Sequence, residues 1–449
     1  MAMLDPGLAQ WALDEARRNG ATAADIICVS AESLAAGVRL GEVEKLKSSR
    51  ERRLGIRVFT GDSSANASTA DMERDSLASF IAETVAMARL TAPDPFSGLP
   101  NPALQASHFP ELNLEDTETG IIPADEALEI ARKAEKAALA VDSRITNSEG
   151  AEFDSGRYEV LLANSNGFSG RYVATSYSLG VAPIASDGGA MQQGYWHTTN
   201  RQRVKLDDAE SVGVIASKRA LRRLGARKIK TTRCPIVFEP EVAAGLIRTL
   251  AGAASGPALY KGASFLVDRL ETAVAAPSVT IIDDGTIVGG LGSKPFDGEG
   301  LAINRKALVE NGVLKTYLLD SYSARKLKLQ PTGNASRGVG DSPSVSSTNL
   351  YLVPGEHTSA DIIRSVKHGL LVTELIGFGV NSVTGDYSRG AGGIWIEDGE
   401  LTFPVQEITI AGNLKEMYSA IDMIGCELVW RSSTVSPMFR IAEMIIAGT

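Results

Sequence analysis

Apolar positions recur along the chain with two periods. Over Gly7–Asn19 they fall on one helical face (Leu8, Trp11, Ala12, Ala16), and Gly20 follows as a stop. Three short runs then read as strands: "DIICVS" (25–30), "AAGVRL" (35–40) and "GIRVFT" (55–60), with the polar stretch "EVEKLKSSRERR" (42–53) between the last two. Helical spacing returns over 76–90, where Leu77, Ile81, Val85 and Ala88 share a face.

The order then repeats. Proline-rich, aperiodic residues 91–113 read as a linker. A helix is predicted over 124–142. After it, 145–170 reads as strand, polar turn, strand and glycine turn, and 171–185 as a strand pair. A third helix, about 207–224, closes the unit. Helix, strands and helix occurring twice suggest an internal duplication. From Thr232 onward glycine-punctuated strands dominate: 278–285, 301–320, 347–355 and 393–413, with "ENG" and "EDGE" as hairpin turns. The predicted class is α+β: an N-terminal duplicated helix/antiparallel-sheet unit plus a β-rich C-terminal domain. The expected divisions are a first α+β repeat at 1–90, a linker at 91–113, a second α+β repeat at 114–231 and the β-rich domain at 232–449.

Composition narrows the classes. A net charge of −9 argues against general polyanion binding. The three cysteines, Cys28, Cys234 and Cys426, lie far apart and form no Cys-x-x-Cys pair, which fits a reducing compartment. No run approaches the roughly 18 apolar residues of a membrane span. The first residues lack the apolar core of a secretory leader, so a cytoplasmic protein without membrane attachment is expected.

Candidate chemistry is sparse. After the strand-like "CPIVF" (234–238), "EPEVAAGLIRTLAGAASG" (239–256) reads as a helix with an apolar stripe of Val242, Leu246 and Leu250. Gly245, Thr249 and Gly252 form a small-residue face suited to close packing, so the helix is expected to be buried. The four histidines are scattered. His108 and His357 are expected at the surface, and His368 at the C-terminus of a helix started by Ser359. His197 in "GYWHTTN" is read as a half-buried strand residue with aromatic neighbours that could line a groove. No cysteine has a histidine beside it to lower its pKa, and no Gly-x-Ser-x-Gly elbow is present. "GGLGSKPFDGEG" (289–300) lacks Gly-Lys-Ser/Thr and is rejected as a nucleotide loop. Its Asp297 and Glu299 flank Gly298, read chiefly as turn stabilisers and otherwise as ligands for a hard cation. The basic run "KRALRRLGARKIKTTR" (218–233) carries eight Lys/Arg without interleaved aromatics, which disfavours nucleic acid. In "NSVTGDYSRGAGGIWIEDGE" (381–400), Asp386, Tyr387 and Arg389 lie among glycines, where a loop could hold an extended peptide by edge pairing.

"NSEGAEFDSGR", "LANSNGFSG", "ASGPALYKGASFL", "PFDGEG", "NGVLKTYLLDSYSARKL", "TGDYSRGAGG" and "PVQEITIAGNL", taken in order, resemble the PmbA/TldE branch of the TldD/PmbA family, from about residue 20 to the C-terminus. The resemblance implies a zinc-peptidase scaffold. In the TldD branch a helix carries His-Glu-x-x-x-His; by order that motif falls on 248–253 here, with Arg248, Thr249 and Ala253 at its ligand and base positions. Cys426 does not sit in the expected Cys-Gly-Lys-like context. What the resemblance implies is therefore a chain with no catalytic or metal residues of its own. It would pair as a heterodimer with a TldD-like subunit that holds the zinc, and act on extended or unfolded peptides. Asp297, Glu299, Asp386, Tyr387 and Arg389 are the expected peptide- or partner-facing residues. The alternatives are an autonomous carboxylate-dependent hydrolase working as a homodimer, and a gyrase- or DNA-binding regulatory module.

Overall fold

A computed structural model describes residues 4–448; the expected segments beginning at 1 and ending at 449 extend past it. The N-terminal half runs α1 (Pro6–Arg18), β1 (Ala23–Arg39), β2 (Glu42–Thr60), β3 (Ser63–Thr69), α2 (Arg74–Leu90), α3 (Ala124–Leu139), β4 (Ile145–Asn164), β5 (Ser169–Asp187), β6 (Ala190–Gln193), β7 (Trp196–Asn200) and α4 (Ala209–Leu221). Helix starts follow local chemistry: Asp5 accepts from Gly7 N–H ahead of Pro6, and Asp208 accepts from Glu210 and Ser211 N–H.

All these strands belong to one antiparallel sheet ordered β3-β2-β1-β4-β5-β6, with β7 on β5. Strand periodicity sends even-numbered β1 residues to a single face. Ile26 and Cys28 join Leu54, Ile56, Val58 and Leu161 beneath α1 and α2, while Leu34, Ala36 and Val38 join Phe153, Tyr177 and Leu179 beneath α3 and α4. The two helix pairs thus cover successive stretches of one face. On α1 the covered residues are Ala9, Ala12, Leu13 and Ala16, with Leu8 and Trp11 at the margin. On α2 all four predicted residues are buried.

The strands are longer than expected. The runs at 25–30 and 35–40 are parts of one 17-residue strand. The polar stretch 42–53 is itself strand, paired to β1 from Glu42↔Arg39 to Arg53↔Val29 and solvated almost throughout. Its Lys, Arg and Glu side chains protect a free sheet edge from illegitimate pairing. The polar turn expected within 145–170 is likewise continuous β4, and the expected pair over 171–185 is the single β5.

The C-terminal half contains β8 (Thr232–Phe238), α5 (Pro240–Ala253), α6 (Gly256–Tyr260), β9 (Ile281–Asp284), β10 (Arg305–Glu310), β11 (Val313–Leu314), α7 (Ser321–Leu327), β12 (Ala335–Ser336), β13 (Ser344–Val345), β14 (Leu350–Leu352), α8 (Ser359–Arg364), β15 (His368–Ile376), β16 (Asp386–Glu397), β17 (Glu400–Asn413), α9 (Leu414–Ser419), β18 (Ile421–Ile424), β19 (Thr434–Val435) and β20 (Phe439–Ala447). One sheet, β17-β16-β15-β8-β20-β18, closes on itself through β17–β20; a second runs β11-β10-β9-β14-β19. α5 lies in the shared core: Leu246, Ile247 and Leu250 cluster with Ile236 and Phe238, with Ile281 and Leu350, and with Leu370 and Phe439. "ENG" and "EDGE" are hairpin turns, with positive φ at Asn311, Gly312, Asp398 and Gly399. His368 opens β15 rather than ending a helix. The Thr358–Asp361 capping box starts α8, which stops at Arg364, and Gly369 sits against Pro235 O, where a Cβ would come within 2.6 Å.

The sheet's other face docks the halves together. Ile27, Leu162 and Phe168 enclose Phe296, which meets Phe168 edge-on at 5.2 Å and Tyr172 at 5.5 Å. Residues 91–113 form a strap over this junction: Arg325 donates to Phe96, Gly98 and Leu99 carbonyls, and Tyr322 donates to Asp94 at 2.8 Å.

Candidate functional site

Where the N-terminal sheet, the end of α4 and the start of α5 converge, three cavities of about 430, 420 and 460 Å³ adjoin one another. His197 on β7 is a wall shared by all three parts of this groove. Its first part lies on the uncovered face of the sheet, beside Lys45, Glu152, Asp154 and Ser178. The middle is walled by Tyr195, Trp196, Arg223, Thr373 and Glu374. The last part runs between α5 (Glu241, Ala244, Arg248) and the segment 429–438.

Stacking and ion pairs hold the walls. Two guanidinium groups lie over the Trp196 ring, Arg219 at 4.8 Å and Arg431 at 4.5 Å from its centre. Tyr195 stacks on His197 at 5.5 Å. Glu239, the residue before α5, makes no cap bond to the helix; its carboxylate accepts from Arg222 at 2.6 and 2.9 Å and from Arg219 at 3.0 Å. Arg223 pairs with Glu374 and Arg431 with Asp207. The basic run is thus largely spent within the chain, since Lys228 pairs with Glu407 and Arg233 with Glu443.

Charge differs along the groove. Burial, and then the neighbouring Glu152, push the Asp154 carboxyl up to about 6, while Lys45 pairs with Glu152. Burial lowers the His197 pKa below the ordinary imidazole value; the charges of Arg431 and Arg219 add to that, and a hydrogen bond to the Arg431 main chain and the Glu241 charge oppose it.

α5 departs from the expected burial. One side is core, but Glu241, Gly245, Arg248 and Gly252 succeed one another on the side away from it. A methyl group built on Gly245 or Gly252 meets no atom within 4 Å, so this small-residue face is open rather than closely packed. At the positions singled out by resemblance, Arg248 is exposed, Thr249 donates to Gly245 O of its own helix at 2.9 Å, and Ala253 is buried. A guanidinium, one hydroxyl and a methyl do not fit a zinc ion. Among the described residues no group of three or more His, Cys, Asp or Glu is gathered to hold a metal. Cys28 and Cys234 are buried and Cys426 is exposed.

The other expected residues lie apart. Asp297 and Glu299 are buried between the two halves, which does not fit their expected role facing a peptide or partner. Asp297 accepts from Glu299, Leu301 and Ala335 N–H, and Glu299 accepts from Ser321 N–H and lies 3.8 Å from Arg57. Asp386 is exposed and accepts from Thr384 and Asn413. Tyr387 is buried in the C-terminal core, which likewise leaves it facing no peptide, and Arg389 is half-buried beside it. Sequence reasoning missed Glu152, Asp154, Arg219 and Arg431; of this groove only "GYWHTTN", with His197 and its aromatic neighbours, and the motif position Arg248 carried a signal.

Three consecutive segments match family models: residues 24–88 that of PmbA/TldA metallopeptidase domain 1, residues 119–224 the central domain, and residues 231–448 the C-terminal domain. The chain is 37% identical over 426 residues to metalloprotease PmbA of Escherichia coli O157:H7, covering 95% of this chain and 92% of that protein. It is similar to the crystal structure of a proposed modulator of DNA gyrase from Bacteroides thetaiotaomicron, with a TM-score of 0.92, 29% identity, and coverage of 99% and 98% of the two chains. A TldE from Thermococcus kodakarensis shares the fold, with a TM-score of 0.89 at 22% identity over 98% of this chain and all of that one. Among the described residues no helix is long and apolar enough to cross a membrane.

Proposed function

The chain belongs to the PmbA/TldD metallopeptidase family, and on that premise we propose that it is the subunit without zinc in a two-subunit peptidase. Its partner is a TldD-like relative carrying the His-Glu-x-x-x-His helix, and their joint substrate is an extended or unfolded peptide. The observation that carries this reading is the open face of α5. The scaffold helix keeps a clear approach past Gly245 and Gly252, yet Arg248, Thr249 and Ala253 occupy the motif positions. In this role the chain binds and aligns peptide while the partner's metal supplies the chemistry.

The groove supports the reading, because its cavity on the sheet face and its cavity against α5 share His197 as a wall. Asp297 and Glu299 are spent on main-chain N–H groups and Arg57, which weighs against an autonomous carboxylate hydrolase. The internal pairing of Arg219, Arg222, Arg223, Lys228 and Arg233 weighs against a DNA-binding role. The test is elemental analysis of the purified chain together with peptide cleavage by the chain alone and after adding a histidine-bearing relative. Expected are no stoichiometric zinc, no cleavage alone and cleavage on mixing. Stoichiometric zinc with turnover by the chain alone would overturn it.

A further inference from the structure

The geometry points to a carboxylate-binding subsite at Arg248, in the cavity of about 460 Å³ between α5 and residues 429–438. The inference rests on the peptide-handling role just proposed and specifies which part of the peptide the groove grips. The charged groups lining the cavity are Arg219, Arg248 and Arg431 against Glu239 and Glu241. Glu239 is taken up by Arg219 and Arg222, Glu241 lies 3.8 Å from Arg219, and Arg431 reaches Asp207 at 3.2 Å. Arg248 alone makes no ion pair or hydrogen bond among the described residues, although it is a rigid fork of five donors suited to two carboxylate oxygens.

Two further observations point to an acceptor-bearing ligand. The first turn of the 14-residue α5 faces the same space through Pro240, Glu241 and Ala244, and Glu239 leaves that end uncapped because its carboxylate turns to the arginines. Lastly, Gly245 and Gly252 flank Arg248 on the open face, so main chain can approach the helix closely on either side of the guanidinium. Where the resemblance puts the first imidazole of the zinc-bearing branch, this chain thus offers a permanently charged organic cation. It can hold a carboxylate but cannot activate water. A peptide whose carboxylate sits at Arg248 has room to run on past Trp196 and His197, which line the same cavity.

The carboxylate can come from a peptide C-terminus or from an Asp or Glu side chain, and the experiment separates them. Three fluorescein-labelled hexapeptides of otherwise neutral sequence are titrated with the intact chain by anisotropy: a C-terminal acid, the matching amide, and an amide with one internal Glu. At least one carboxylate-bearing peptide is expected to bind about tenfold or more tighter than the plain amide. Which one does so identifies the source. Arg248→Gln should abolish the difference and Arg248→Lys should keep most of it, both with unchanged circular dichroism and unfolding midpoint. Equal affinity for all three peptides, no binding of any, or a preference that survives Arg248→Gln would overturn the inference. The subunit reading is scored separately by cleavage in the reconstituted pair, so either can fail while the other stands.

Discussion

Arg337, in the C-terminal half, donates to Asp25 on β1 at 2.5 Å, across a sequence separation of 312 residues. The same carboxylate accepts from Arg57 on β2, and all three side chains are buried. Burial alone would raise the Asp25 pKa, but Arg337 and Arg57 outweigh it and hold the carboxyl below its usual range. Asp25→Asn would leave two guanidinium groups facing a neutral amide inside the protein. Removing one partner of such a group costs about 3–5 kcal/mol. Urea unfolding of the variant at neutral pH is expected to show a loss of that size, and wild-type stability should fall on acidification as Asp25 protonates. A loss below about 1 kcal/mol would mean that the cluster does not hold the halves together.

Glu299, 3.8 Å from Arg57 in the same cluster, behaves oppositely. Burial pushes its pKa up to about 7; Arg57 opposes that and the neighbouring Asp297 adds to it. Its folded pKa therefore lies above the unfolded one, so folding is favoured while it is protonated. That contribution is full below the unfolded value and is lost as pH rises through about 7. Glu299→Gln, which cannot ionise, should gain on wild type between pH 5 and 8 by on the order of 2 kcal/mol. Chemical denaturation of both proteins at the two pH values reads this directly, and parallel pH profiles would refute it.

The sequence made some of this architecture legible, and the reasons are physical. Leu77, Ile81, Val85 and Ala88 are all buried because a helix on a sheet must bury one stripe, and that stripe is written every three to four residues. Strand lengths were hidden. Residues 42–53 are solvated almost throughout, so nothing forces alternation there, and in β4 the inward positions Ser148, Ala151, Phe153 and Ser155 are mostly small or polar. On α5 an apolar composition was read as full burial. A glycine pressed against a neighbour and one facing open space look the same in a sequence, and only the fold distinguishes them. The groove was least legible, since Glu152, Trp196, Arg219, Arg248 and Arg431 come from separate elements and no spacing relates them.

The two open glycines yield a prediction in which stability and function part. Gly245 lies within α5 and Gly252 in its last turn, neither has positive φ, and an added methyl at either meets nothing within 4 Å. Alanine there removes unfolded-state freedom without a clash, worth about 0.5–1 kcal/mol per site. Gly245→Ala and Gly252→Ala should therefore raise the unfolding midpoint. If main chain passes over this face, a bulkier Gly245→Leu should leave stability near wild type and weaken binding of labelled peptide. Undiminished peptide binding by Gly245→Leu would show that ligands approach elsewhere.

His197 sets a pH dependence of the sign opposite to that of Glu299. Burial first, and then the Arg431 and Arg219 charges, keep its pKa below the ordinary imidazole value; Glu241 and a hydrogen bond to the main chain of Arg431 partly offset them. A proton therefore binds the unfolded chain more readily. The stability this represents is full above the unfolded pKa, about 6.5, and is lost as pH falls below it through the lower folded pKa. His197→Gln should lose less stability than wild type between pH 7.5 and 5, read as the difference in urea midpoints. Because the imidazole lines all three parts of the groove, the proton it gains on acidification would also place a cation next to Tyr195 and Trp196. Peptide affinity measured on the same two proteins should therefore change with pH in wild type and stay flatter in the variant. Identical affinity profiles would mean that bound peptide does not pass His197.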